Sequence, residues 1–237
     1  DEYLDEEGHA TDLITDEAVR VIEEEREDPF FLYVAYSVPH YPLDEPEEWT
    51  SMYDDVSFTH PSRKWFAASV THMDAGIGRI IDALERTDQR DNTMIVFVSD
   101  NGGQMSWHSE DQYQGRYADK PHKVLGNNFP LLGWKGDLYE GGIRVPAFVN
   151  WPGQVEQGSL EMPVHISDWL PTLCELTGND TSLDELNLDG QNIWPFLTGE
   201  QPIPKNRTMY WKISQAYAVR EGDWKLLLHR NSDKTEL

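Results

Sequence analysis

The chain is short of sulfur bridges, of positive charge and of long apolar runs. Cys174 is its single cysteine, so no internal disulfide can form and cysteine usage gives no sign of an oxidising compartment. Only 19 lysines and arginines stand against 43 aspartates and glutamates, for a formal net charge of -24. A field of that sign repels nucleic acid and anionic membranes as general partners, so an anionic ligand needs a local basic pocket. No stretch is long and apolar enough to span a bilayer, and the first residues lack a basic-then-apolar signal pattern. At 237 residues the chain suffices for one large core, or for a core with a small satellite.

Against that background the apolar runs that do occur are short and end in polar corners. Residues Thr93 to Gly103 read Thr-Met-Ile-Val-Phe-Val-Ser-Asp-Asn-Gly-Gly, a buried strand with a polar tip. A strand apolar on both faces belongs in a mostly parallel sheet covered by helices, and such sheets bind ligands at the carboxyl ends of their strands. Asp100 and Asn101 offer hard oxygen donors there, of the kind Ca²⁺ or Mg²⁺ takes, while Gly102 and Gly103 leave room for a bulky anion. The same four residues also suit a plain turn. A second run of strand length, Phe30 to Tyr36, leads into Ser37-Val38-Pro39-His40-Tyr41-Pro42, where prolines on both sides stiffen the loop that presents His40.

Helical periodicity marks two covering elements. One is capped at Thr15 and carries the stripe Ile14, Ala18, Val21 and Ile22; the other runs from Ser62 to Arg86 through Phe66, Val70, Met73, Ile77, Ile80 and Leu84. Gly76 and Gly78 weaken the longer helix, which points to close approach by another element. Pro146 confines the strand before Trp151 to an edge or to residues after the proline, and Ile166 to Thr177 forms a helix capped by Ser167 or Asp168. Thr208 to Ile213, Ala216 to Arg220 and Trp224 to His229 read as antiparallel strands of a small second subdomain.

Bases gather where they are least expected in so acidic a chain. The loop from Gln104 to Asn128 holds His108, Arg116, Lys120, His122 and Lys123, which either hold the rest of an anionic substrate or decorate a solvated lid. Lys135 follows between Trp134 and Gly136, well placed to meet an oxyanion as a point charge.

Pro29 to Leu43, Val-Ser-Asp-Asn-Gly-Gly (98 to 103) and Lys-Gly-Asp-Leu-Tyr-Glu-Gly-Gly-Ile-Arg-Val-Pro (135 to 146) together resemble the type I sulfatases of the alkaline phosphatase superfamily. His165 to Leu173 and Gly126 to Leu131 look most like the arylsulfatase B branch, the N-acetylgalactosamine 4-sulfatases, although the 104–128 loop is longer than that branch suggests. The resemblance implies an α/β fold with an alkaline phosphatase-like, mostly parallel sheet flanked by helices, followed by a small C-terminal antiparallel β subdomain. Residues 1–202 are then the C-terminal portion of the catalytic domain and 203–237 the subdomain, itself cut short. The implied activity is hydrolysis of a sulfate ester on a sulfated carbohydrate or aryl sulfate, in a secreted, periplasmic or lysosomal setting. Asp100 and Asn101 become calcium ligands (Mg²⁺ being the alternative ion), His40 contacts the sulfate and helps protonate the leaving alcohol, and Lys135 binds sulfate oxygens.

In that family the attacking group is a formylglycine hydrate, made from Cys or Ser in Cys/Ser-x-Pro-x-Arg. No such motif occurs in these 237 residues. Thr59-His60-Pro61-Ser62-Arg63 imitates its tail but reads as a helix-capping segment, and the family's acidic pair and Lys-x-His are missing too. The chain therefore reads as a fragment carrying the second half of the site and inactive alone. Alternatives are a non-catalytic binder of sulfated glycans and a phosphoryl hydrolase of the same superfamily.

Overall fold

The computed structural model describes residues 6–41, 43–104, 126–179, 186–230 and 234–237. They fall into two compact units, Asp1–Thr93 with Val98–Ala147 and Met94–Phe97 with Phe148–Leu237. The loop bases His108, Arg116, Lys120, His122 and Lys123 lie outside the described residues.

The first unit is built on two helices, α1 (Ala10–Glu23) and α3 (Pro61–Arg86), with the single turn α2 (Glu47–Thr50) between them in sequence. α1 begins six residues before the expectation, its cap lying at position 9 and not at Thr15. His9 caps it instead, Nδ1 accepting the Thr11 N–H at 3.3 Å. Thr15 is fully buried inside the helix; its hydroxyl donates to the Thr11 carbonyl at 2.7 Å and accepts from the Tyr36 phenol at 2.7 Å. α3 begins as its sequence indicates, with His60 as cap and Pro61 in the first turn, where a missing N–H costs nothing.

α1 and α3 meet at Gly76. A Cβ there would stand 2.6 Å from Thr15 Oγ1 and 3.0 Å from Tyr36 Oη, whereas one on Gly78 would meet nothing within 4 Å, so only the first glycine serves close approach. The buried face of α3 is Ser62, Ala68, Ser69, His72, Gly76, Ala83 and Leu84, so Leu84 alone of the expected apolar stripe is fully buried. Phe66, Val70, Met73, Ile77 and Ile80 are only half-buried. Tight helix packing selects small side chains at the contact and displaces the large ones to its flanks.

Phe30 to Tyr36 is extended but has no ladder partner among the described residues. Exposure alternates along it as a strand's would, with Phe31 and Tyr33 exposed and Leu32 and Val34 half-buried. Beyond it, Tyr41 and Leu43 are buried against Trp65 and Phe66 of α3, which anchors the chain leaving His40.

β1 (Ile95–Val98) pairs with β2 (Ala147–Asn150), which starts directly after Pro146, and the Phe97 and Phe148 rings stack at 5.0 Å. β1 is half-exposed among the described residues, where the apolar run suggested burial on both faces. The single-turn helix α4 (Glu140–Ile143) belongs to the first unit.

In the second unit, a tight turn over 166–168 capped by His165 leads into α5 (Trp169–Leu176), whose own N-cap position is Asp168, one of the two expected, although its side chain makes no cap hydrogen bond to that helix. Asp168 completes the capping box and is wholly buried. It accepts the His165 and Gln191 N–H groups at 2.7 and 3.0 Å and both guanidinium nitrogens of Arg207 at 2.8 and 2.5 Å. After α6 (Trp194–Leu197) come β3 (Thr208–Ile213), β4 (Ala216–Glu221), β5 (Trp224–His229) and β6 (Lys234–Glu236), an antiparallel sheet in sequence order. Two-residue turns at 214–215 and 222–223 fix its register, with Ser214 and Gly222 at the positive φ such turns require. β6 was not legible, since three polar residues carry no strand pattern. The architecture is α/β with a four-stranded antiparallel sheet at the C-terminal end.

Candidate functional site

Asp100, Asn101, Lys135 and His40 all belong to the first unit. Asp100 and Asn101 sit directly past the carboxyl end of β1. Asp100 is exposed, Asn101 is half-buried, and the Ser99 hydroxyl donates to the Asn101 carbonyl at 3.2 Å. A backbone seam holds this tip against the segment that carries Lys135. Ser99 N–H bonds Pro146 O at 3.1 Å, Gly102 N–H bonds Gly142 O at 2.9 Å, and Lys135 N–H bonds Gly103 O at 3.1 Å. The strands of the seam run so close that a Cβ on Gly102 would lie 1.7 Å from the Gly141 carbonyl oxygen. Glycine is dictated there by packing.

Asn128 locks the seam. Its Oδ1 accepts the Gly103 N–H at 2.9 Å, and its Nδ2 donates to Gly103 O at 3.1 Å and to Gly133 O at 3.0 Å. Next to it, Gly126 N–H bonds Gln104 O at 2.9 Å, and Arg63 Nη1 of α3 reaches Gly126 O at 3.4 Å. Neither Asn128 nor Arg63 was marked as a site residue from the sequence. The signal for Asn128 is weak: asparagine beside glycines often bridges backbone turns.

Lys135 is exposed at the second position of a turn closed by Asp137 N–H on Trp134 O at 2.9 Å; Gly136 takes φ +92 at the third. The Asp137 carboxylate accepts the Trp134 N–H at 2.8 Å, so the turn holds the lysine by its backbone and leaves the ammonium on a flexible stem.

His40 closes a turn begun at Ser37, with its N–H on Ser37 O at 3.0 Å and its Nδ1 2.6 Å from Tyr41 O. A carbonyl can only accept, so Nδ1 carries the proton and Nε2 is the basic nitrogen of the neutral ring. The loop is tied by Tyr41 and Leu43 to the first turns of α3, the helix whose Arg63 reaches the Gly126 end of the seam. α3 thus joins the elements that carry His40 to those that carry Asp100 and Lys135.

The donor set at β1 suits a hard cation in kind. A carboxylate and an amide oxygen are what Ca²⁺ takes, yet they supply only part of the roughly six to eight oxygens it requires.

The Sulfatase family model matches residues 1–179. This chain belongs to the sulfatase family. Curated relatives include the sulfatase YdeN of Escherichia coli (strain K12), 30% identical over 238 residues, and Arylsulfatase J of Mus musculus, 32% identical over 198. Among solved structures, Ps i-CgsB in complex with k-i-k-neocarrahexaose is 32% identical with a TM-score of 0.81 over 99% of this sulfatase chain. The chain spans 39% of YdeN, 30% of Arylsulfatase J and 49% of Ps i-CgsB, while 95% and 83% of it are covered by the first two. Solved sulfatases share its α/β architecture, including one from Bacteroides fragilis that is 20% identical with a TM-score of 0.65. No helix among the described residues is long and apolar enough to cross a membrane.

Proposed function

We propose that this chain supplies the metal-binding and sulfate-gripping part of a sulfatase that hydrolyses a sulfate ester on a sulfated sugar or polysaccharide. The observation that carries the reading is the seam between Gly103 and Lys135, because it holds an ammonium-bearing turn beside a carboxylate-bearing strand end. A tetrahedral sulfate ester, a monoanion that becomes a dianion on release, matches that pairing when a cation stands on one side of it.

Asp100 and Asn101 would hold part of a calcium shell, with Mg²⁺ as the alternative, and the ion would supply positive charge that polarises the sulfate. Lys135 neutralises charge on the sulfate oxygens as the ester bond breaks, a contribution that grows toward the transition state. His40 keeps its Nδ1 proton on Tyr41 O and acts as an imidazolium, its Nε2–H passing its proton to the departing alcohol oxygen and leaving the neutral ring protonated at Nδ1. The attacking group, a formylglycine hydrate, comes from outside residues 1–237, and these residues alone do not turn over substrate. His108, Arg116, Lys120, His122 and Lys123 are assigned to the remainder of an anionic substrate. A sulfated polysaccharide is favoured as substrate by the likeness to Ps i-CgsB with its bound neocarrahexaose. The arylsulfatase B-type motifs and the likeness to Arylsulfatase J leave aryl sulfates and N-acetylgalactosamine 4-sulfate as further substrates to assay. A secreted, periplasmic or lysosomal location goes with this reading.

The test is sulfate release from sulfated oligosaccharides by the full-length protein, with calcium and after chelation. Asp100→Ala and Lys135→Ala are each expected to lower kcat/KM by roughly 100-fold or more, the usual effect of removing one charge-stabilising group. Near-normal turnover in either variant contradicts the assignment. Glycan binding without any turnover, together with a peptide map free of formylglycine, would establish the non-catalytic binder in its place.

A further inference from the structure

Away from the sulfate site, a second set of metal-competent side chains gathers where the start of α1 crosses the middle of α3. His9, Asp12 and His72 each bring one ligand atom within 4.8 Å of the other two. His72 Nε2 lies 3.2 Å from Asp12 Oδ1, and its Nδ1 lies 2.7 Å from Glu45 Oε2. The His9 and His72 rings are 4.8 Å apart, and Trp49 of α2 stacks on His72 at 4.5 Å. His72 and Glu45 are almost wholly buried, with side chains 3% and 1% exposed, while Asp12 is 47% exposed and opens the cluster to solvent.

We infer that His9, Asp12 and His72 form a binding site for a zinc-type divalent cation, with Glu45 orienting His72 from behind. Two imidazoles and a carboxylate with a fourth position open is a donor set that zinc takes. Tetrahedral ligands about 2.1 Å from zinc stand about 3.4 Å apart, so His72 Nε2 and Asp12 Oδ1, 3.2 Å apart, already have nearly the right spacing, and a His9 nitrogen within 4.8 Å of both would complete the set by closing in. A buried carboxylate holding the far nitrogen of a ligating histidine is the usual second layer of such sites; it fixes the tautomer and leaves Nε2 basic. Glu45, buried with Oε2 on His72 Nδ1 and Oε1 3.7 Å from His9 Nε2, also demands a compensating positive charge in the cluster. Arg79 reaches Asp12 only from outside, at 3.8 Å, and is shared with Asp16.

Two further atoms mark the same place. Thr11 Oγ1 and Trp49 Nε1 are buried with no hydrogen-bond partner among the described residues, the first in the turn between His9 and Asp12 and the second on the ring stacked against His72. Unpaired buried polar groups are costly, and a hydrated ion is a natural recipient for them. Ligation through His9 Nε2 moves that ring's proton to Nδ1 in exchange for the long 3.3 Å contact with Thr11, a modest loss. The site is separate from Asp100, Asn101 and Lys135 and does not depend on their role. It does bear on His40, because Glu45 lies five residues beyond it on the same anchored loop.

The experiment is zinc binding to the chelator-stripped, full-length protein in excess calcium, read by competition with a chromophoric chelator and by the visible ligand-field band of substituted cobalt. One equivalent is expected to depend on this cluster. It should be lost in His72→Gln, weakened at least ten-fold in the half-exposed His9→Gln, and weakened roughly 10- to 100-fold in Glu45→Gln. Circular dichroism confirms that each variant is folded, and His9→Gln carries the test if His72→Gln is not. Equal zinc affinity in wild type and folded His9→Gln, or wild-type protein with no cobalt band, overturns the inference and leaves His72 as an imidazolium clamped between two carboxylates.

Discussion

A single added methyl group measures how tightly the seam beside Lys135 is built. In Gly102→Ala the new carbon would fall 1.7 Å from the Gly141 carbonyl oxygen, backbone that cannot swing aside as a side chain would. The expected outcome is a loss of about 1–3 kcal/mol in denaturant-melt stability, the range for overpacking, together with a loss of sulfate release. An unchanged midpoint in the Gly102→Ala protein would show that the seam is looser than described. Tyr36 offers a complementary test. Burial raises its ionisation above the ordinary tyrosine range. The folded value therefore exceeds the unfolded one, so this contribution is fully present below about pH 10 and is lost as pH rises through the folded value. Tyr36→Phe should cost about 1 kcal/mol at neutral pH and lose less stability than wild type between pH 9 and about 11, as read by thermal melts. At this scale the placement of Asp100 and Asn101 past the end of β1, and of His40 and Lys135 in tight turns, was legible from the apolar runs, glycines and prolines beside them, while their roles belong to the proposal. Asn128, His72 and Glu45 were not, because Asn128 reaches across to Gly103, and His72 and Glu45 to each other, over 25 or more residues that no local pattern connects.

At the scale of elements, the contact between α1 and α3 is set by what Gly76 lacks. Gly76→Leu is expected to separate the helices and break the Thr15 to Tyr36 hydrogen bond, with a loss of several kcal/mol or outright failure to fold, whereas Gly78→Leu should be tolerated or mildly stabilising. Comparable destabilisation by both substitutions in urea melts would contradict this packing. Both helices were readable from their 3.6-residue periodicity, and the C-terminal hairpins from alternation and two-residue turns. The start of α1 was missed because a histidine cap is chemically adequate but statistically unremarked, and β6 because its polar residues take their strand character from pairing with β5 alone. Phe30 to Tyr36 has a strand's alternation without a ladder, since a strand is defined by its neighbours and not by its own sequence.

Across the whole chain, a formal charge of -24 sets the response to salt. Self-repulsion among 43 acidic groups is screened as ionic strength rises, so the thermal midpoint should climb between about 10 mM and 150 mM sodium chloride, where the Debye length falls from roughly 30 to 8 Å. A falling midpoint would mean that surface ion pairs such as Arg86 with Glu23 outweigh the repulsion. The same arithmetic means that any anionic ligand would be repelled by the averaged field and would need local cations such as Lys135 to bind.

Gln104 and Gly126 are joined backbone to backbone at 2.9 Å, on either side of the residues richest in lysine and histidine. Residues 105–125 therefore join the described fold at two points held together, and exchanging them should leave the Asp100 tip and the Lys135 turn in place. Grafting 105–125 from one homologue onto another should then transfer preference among sugars while the chemistry of sulfate removal stays put, which makes this stretch a natural cassette for evolution and for engineering.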